Sequence, residues 1–227
     1  MDFFTGIVTF FTEFINIASR LTDGMGRSVI VFCATLLFSL PLGLIICFGR
    51  MSRFAPLRWL ATFYISIMRG TPLMLQLFVW FYGPYFIFGI SLSTSYRLYA
   101  TLIGFAANYA AYFAEIYRGG IQAMPVGQYE AAKVLGYSKT RTFLKIILPQ
   151  VIRHIIPAVT NETITLVKDT SLASVIAYGE MFYEAKQIAA QAANVMPLAV
   201  AGIFYYVFNA LVAWGMGKLE RRLAYYR

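Results

Sequence analysis

Long stretches without charge constrain this chain more than any other feature. Between Arg27 and Arg50, residues 28–49 contain no Asp, Glu, Lys or Arg. About 20 apolar residues suffice to carry a helix across the hydrocarbon of a bilayer. Predominantly apolar stretches of that size recur at 57–88, 96–117 and 196–217. Only 13% of the residues are charged and 59% are hydrophobic, against about 25% and 45–50% in a soluble domain. That is too little charge for a water-facing surface. A soluble enzyme, a disordered chain and a disulfide-stapled secreted module are all excluded, and an all-α polytopic membrane protein remains.

The net charge of +9 raises nucleic acid as a partner, but most of the charges cap apolar spans, so the basic surface belongs at membrane lipid instead. Cys33 and Cys47 share one apolar stretch. Fourteen residues of helix place them ~21 Å apart, beyond disulfide reach. Near the amino end, Asp2 is acidic and neither a basic leader nor a small-residue cleavage site follows, which argues against a signal peptide. Phe3, Ile7, Phe10, Phe11, Phe14 and Ile17 repeat at helical spacing instead, and predict an interfacial helix.

The second apolar region is interrupted by Arg69-Gly70-Thr71-Pro72 and reads as one long helix broken there. Hydropathy leaves 150–167 undecided, because it holds Arg153, His154, Pro157, Asn161 and Glu162. Charge placement decides it. Arg50, Arg53 and Arg58 precede the second span. Arg118, Lys133, Lys139, Arg141, Lys145 and Arg153 follow the third, and Lys218, Arg221, Arg222 and Arg227 end the chain. If all three groups face the cytoplasm, 13 of the 19 basic residues are inside, only Arg20, Arg27, Arg97 and Lys186 are outside, and Arg69 and Lys168 fall within membrane segments. Cytoplasmic loops are the ones enriched in Lys and Arg. Keeping the last two groups on one side requires 150–167 to cross. The expectation is a single domain, 1–227, with five transmembrane helices, the N-terminus outside and the C-terminus in the cytoplasm. Residues 177–194 form an outer connection.

The loop 125–149 joins the third and fourth spans. Gln128 to Leu135 are good helix formers, and Gly136 can close such a helix in a left-handed turn. Ala131 and Ala132 give it a smooth side for a partner's groove. A rigid helix between two membrane helices is a lever, although a solvated connection held near anionic lipid is the plainer alternative. Its spacing carries more information: Glu130-Ala131-Ala132, three residues, Gly136, nine residues, then Ile146-Ile147-Leu148-Pro149. This pattern resembles the coupling loop of permease subunits of ATP-binding-cassette importers. Arg69-Gly-Thr-Pro72, Tyr112-Phe-Ala-Glu115-Ile-Tyr-Arg118-Gly-Gly120, Asn161-Glu162 and Lys168-Asp-Thr-Ser171 resemble the polar amino-acid uptake branch of that family. The resemblance implies a bacterial inner-membrane transport subunit with no catalytic residues, metal or cofactor of its own. It implies partners too: two ATPase subunits that bind ATP and Mg, a second permease subunit, and an extracytoplasmic binding protein that delivers a polar amino acid. Glu130, Ala131, Ala132 and Gly136 take the coupling positions. The chain lacks a Gly-Lys-Ser/Thr phosphate loop, so energy comes from a partner.

Ionisable groups at membrane depth mark functional sites by default. An amino acid needs donors for its carboxylate and acceptors for its ammonium. Arg69, Lys168 and free N–H groups at a helix break serve the first; Glu162 and Asp169 serve the second. Thr71, Gln76, Asn161 and Ser171 are neutral candidates along the same path. On a continuous helix Glu162 and Lys168 point about 120° apart, whereas Asn161 and Lys168 share a face. Local pairing of Lys168 with Asp169, or of Glu162 with Arg69, remains open. A self-sufficient secondary transporter and a membrane-embedded enzyme are the competing classes. The first leaves the loop spacing unexplained, and the second lacks a clustered nucleophile.

Overall fold

The computed structural model describes residues 3–91 and 93–223, with side chains from residue 7 onward, and contains helices but no strand among them. The Phe3 side chain and Arg227, both invoked above, lie outside the described residues. In chain order the helices are α1 (Phe3–Arg50), α2 (Ala55–Gly70), α3 (Leu73–Phe88), α4 (Tyr96–Gln122), α5 (Val126–Val134), α6 (Lys139–Thr142), α7 (Leu148–Asp169), α8 (Met181–Ala192) and α9 (Met196–Leu223). A π turn (Phe143–Ile147) leads into α7, and a 3-10 turn (Thr170–Ile176) follows it.

α1 departs from expectation. The interfacial helix and the first span are one helix of 48 residues, ~72 Å long at 1.5 Å per residue. Arg20, Asp23, Gly24 and Arg27 look like a boundary by polarity, yet none of them stops a helix backbone. Gly24 is there for packing: a Cβ on it would lie 2.8 Å from the Met181 Cα at the start of α8.

The break between α2 and α3 is where the sequence puts it. Pro72 has no N–H and forces the residue before it out of the helical region, and Thr71 sits at φ −123°, ψ 147°. Thr71 closes α2 by donating from both its N–H and its Oγ1 to the Ile67 carbonyl, at 3.1 and 2.8 Å. The Pro72 carbonyl then accepts from the N–H groups of Leu75 and Gln76 to open α3. The helix direction changes by 109° at this point. A related device operates at Pro149. It cannot donate to a helical carbonyl, and the preceding turn widens so that the Leu148 N–H reaches back to the Phe143 carbonyl, a local adjustment that lets a helix run through proline.

Among the described residues, three helical stretches are long and apolar enough to cross a bilayer: Ile7–Arg50, Lys139–Ile176 and Met196–Leu223. The α2–α3 pair makes a fourth if taken as one broken span. Leu37, Trp59, Val79, Phe86 and Leu211 are all exposed, which suits a lipid-facing surface.

The chain divides into two compact units. The first comprises Met1–Thr35, Pro72–Phe105 and Thr165–Leu211. Leu21, Met181, Ala185, Val200 and Ala201 form its core, and α3 packs on the 3-10 turn. The second comprises Leu36–Thr71, Ala106–Ile164 and Val212–Arg227. Cys47, Ile65, Ala111 and Ala114 form its core. The alanines let α1, α2 and α4 approach closely, as small residues do where lipid offers no hydrophobic drive. The Tyr64 hydroxyl donates to the Ala107 carbonyl at 2.5 Å and Asn108 Nδ2 to the Met68 carbonyl at 3.0 Å. Such interhelical bonds contribute about 0.6 kcal/mol each.

Candidate functional site

The loop between α4 and α7 folds as its residues dictate. α5 runs from Val126 to Val134, and Gly136 takes φ +75°. The Gly136 N–H donates to the Lys133 carbonyl and the Tyr137 N–H to the Ala132 carbonyl, both at 3.0 Å, the paired closure of a glycine-capped helix. Ser138 then caps α6, its Oγ accepting from the Arg141 N–H at 3.3 Å. Glu130 and Ala131 are exposed, as are Val134 at 87% and Leu135 at 72%. Ala132 is 1% exposed and turns into its own chain, where α5 packs on α6. The smooth side expected of both alanines is therefore reduced to Ala131, since neighbouring residues on a helix diverge by about 100°.

The candidate path residues divide between the units. Arg69, Thr71, Asn161 and Glu162 belong to the second; Gln76, Lys168, Asp169 and Ser171 belong to the first. α7 stays helical through Asp169, so the loosening that would swing Glu162 toward Lys168 is not found between them. Asn161 and Lys168 share a face, and both are exposed in this chain. Ser171 Oγ donates to the Lys168 carbonyl at 2.7 Å, and Gln76 is buried.

Arg69 lies in a cluster that the sequence only half reveals. The Glu115 carboxylate takes Arg118 in bidentate fashion, from Nε at 3.1 Å and Nη2 at 2.8 Å. It also meets Arg50 Nη1 at 2.9 Å and Arg69 Nη1 at 3.7 Å. Arg69 lies over the Tyr112 ring, 5.2 Å from its centroid. The Glu115–Arg118 spacing of three residues signals the local pair. Nothing local announces Arg50 and Arg69, which arrive through the packing of α1 and α2 on α4.

Glu180 was not legible as a site residue. It is fully buried and caps α8. Its Oε1 accepts from the Tyr183 N–H at 2.7 Å, and Oε2 accepts from the Phe182 N–H and the Tyr205 hydroxyl, both at 2.8 Å. Ser28 Oγ approaches Oε2 at 3.4 Å. Burial raises the carboxyl above its ordinary value, and these hydrogen bonds oppose the rise. The one available signal was an acid preceding the helical stretch 181–192.

Residues 39–225 match the family model described as the binding-protein-dependent transport system inner membrane component. The chain belongs to that family. It is the membrane-embedded permease of an ATP-binding-cassette importer, and ATP hydrolysis resides in a separate subunit. The permease is similar to the arginine transport system permease protein ArtQ of Bacillus subtilis, 34% identical over 89% of this chain and 92% of that one. It is also similar to the L-cystine transport system permease protein TcyB of the same organism, at 36% identity over 91% and 87%. The octopine transport system permease protein OccM of Rhizobium radiobacter is 39% identical over 78% and 76%. Among solved structures, a crystal structure of an amino acid ABC transporter with histidines superposes with a TM-score of 0.81 at 30% identity, covering 98% of this chain and 99% of that one. The MetNI methionine transporter shares the fold at 17% identity, with a TM-score of 0.67 over 92% and 96%.

Proposed function

We propose that this permease carries a polar amino acid across a bacterial inner membrane, delivered by an extracytoplasmic binding protein and driven by two ATPase subunits that bind ATP and Mg. The substrate class is supported by relatives named for arginine, cystine and octopine. In this reading both units form one permease domain, and a second permease subunit, identical or a sibling, completes the pathway. Five spans cross the bilayer: α1, the α2–α3 pair, α4, α7 and α9. The N-terminus lies outside and the C-terminus in the cytoplasm, a reading that the distribution of Lys and Arg supports.

The observation that carries the proposal is α5 with its glycine cap. Glu130, Ala131 and Ala132 lie on a short helix that Gly136 closes, and Val134 and Leu135 at its end are exposed, a surface for the ATPase to grip. Glu130, Ala131 and Gly136 form the grip, and Ala132 seats α5 on its own chain. Lys168 and Asn161, on one face of α7, line the substrate path and offer donors to a carboxylate. Glu162, Asp169, Arg69, Thr71, Gln76 and Ser171 are the further path candidates.

A cysteine at Val134 tests the arrangement. In sealed vesicles it is expected to react with an impermeant maleimide only from the cytoplasmic side, and to be protected when the ATPase is bound. Labelling from the outer side contradicts the topology and the grip together.

A further inference from the structure

We infer that a cavity of about 660 Å³, lined by Arg27 and Arg97, is a carboxylate pocket that receives an Asp or Glu side chain of the extracytoplasmic binding protein. The inference rests on the proposed import function and its outside N-terminus, which put this cavity on the outer face.

Two guanidiniums line this cavity, and of the two Arg97 has no anion beside it among the described residues. Arg97 sits in the first turn of α4, where the helix dipole disfavours positive charge, so helix stability does not explain it. It makes no ion pair among the described residues. Its Nη1 has one long bond to the Ala177 carbonyl, 3.4 Å, and its Nε is buried without an acceptor. The group is held 6.0 Å from the Phe81 ring centroid. Arg27 is anchored by the Gly179 carbonyl at 2.7 Å and by Glu184 Oε1 at 3.2 Å, with its side chain 48% exposed. Glu180, the other nearby acid, is turned into the cap of α8. A planar guanidinium short of acceptors is matched by a carboxylate.

The lining also says whose carboxylate it is. Ser95, Tyr99, Tyr178 and Tyr183 add hydroxyls, but no acidic residue lines the cavity. A free amino acid would bring an ammonium, and the neighbouring carboxylate of Glu184 is already engaged by Arg27. An Asp or Glu side chain presents the anion alone.

The test uses the complete transport complex in proteoliposomes, with its own binding protein added at increasing concentration and uptake measured. Arg97→Gln is expected to raise the half-saturating concentration of binding protein about tenfold, without changing the maximal rate, and to flatten the salt dependence. Arg97→Glu is expected to be rescued by an acid-to-lysine change on the binding protein, which separates pairing from a folding defect. A half-saturating concentration unchanged in Arg97→Gln, with the same salt dependence, overturns the pocket. So does an effect confined to affinity for free amino acid. Absence of ATP-driven uptake by the unsubstituted complex overturns the import reading instead, and is seen before any variant is made.

Discussion

A buried carboxylate that caps a helix and also receives a tyrosine hydroxyl has several groups depending on it. Replacing Glu180 by Ala leaves two N–H groups of α8 without a cap and the Tyr205 hydroxyl without an acceptor. Loss of a cap and of a buried acceptor each cost about 1–2 kcal/mol, so about 2–4 kcal/mol together, read as a lower unfolding temperature in detergent. Glu180→Gln imitates the protonated acid and should cost less. Because the folded-state value is raised, the native structure holds this proton more firmly than the unfolded chain does. That contribution is complete at pH below the ordinary carboxylate value and is lost as pH climbs through the folded value. The unfolding temperature of the native chain, relative to Glu180→Gln, is therefore expected to fall as pH rises from the acid range; a constant difference contradicts the assignment. At Glu115, Gln substitution leaves Arg50, Arg69 and Arg118 facing one another. A buried pair broken on one side costs 3–5 kcal/mol, and the partial exposure of these arginines reduces this to about 2 kcal/mol, again read by thermal unfolding. The Glu115–Arg118 pair is local, three residues apart on one helix. Arg50 lies 65 positions from Glu115 and Glu180 lies 25 from Tyr205, and contacts over such separations depend on helix register, which composition does not carry.

Among the elements, those fixed by backbone chemistry were readable and those fixed by packing were not. Pro72 separates α2 from α3 because a missing N–H and a steric clash act whatever surrounds them, and Gly136 ends α5 because only glycine accepts φ +75° without strain. The continuity of α1 was hidden, since Arg20, Asp23 and Arg27 imitate a membrane boundary while their backbone stays helical. The burial of Ala132, 1% exposed, was likewise hidden, because it depends on packing within the chain. Gly136→Ala should cost about 1–2 kcal/mol in local conformational energy, loosening the end of α5. Its expected signature is weaker ATPase co-purification and a lower uptake rate, with the unfolding temperature of the membrane part little changed. Equal ATPase retention and uptake would show that the cap is unimportant for coupling.

For the molecule as a whole, charge scarcity specifies membrane helices, with one long basic loop between α4 and α7. The family follows from that loop's spacing and from the match over residues 39–225. The transport direction, the amino-acid cargo and the ATPase grip on α5 form one connected claim. Its most direct test is accumulation of radiolabelled polar amino acid by proteoliposomes that hold the complete complex, with ionophores present to abolish ion gradients. Accumulation is expected to require ATP on the ATPase side and loaded binding protein on the other, and to vanish when residues 130–136 are replaced by a Gly/Ser linker. Uptake that persists without ATP, follows an ion gradient and ignores that replacement would contradict the account.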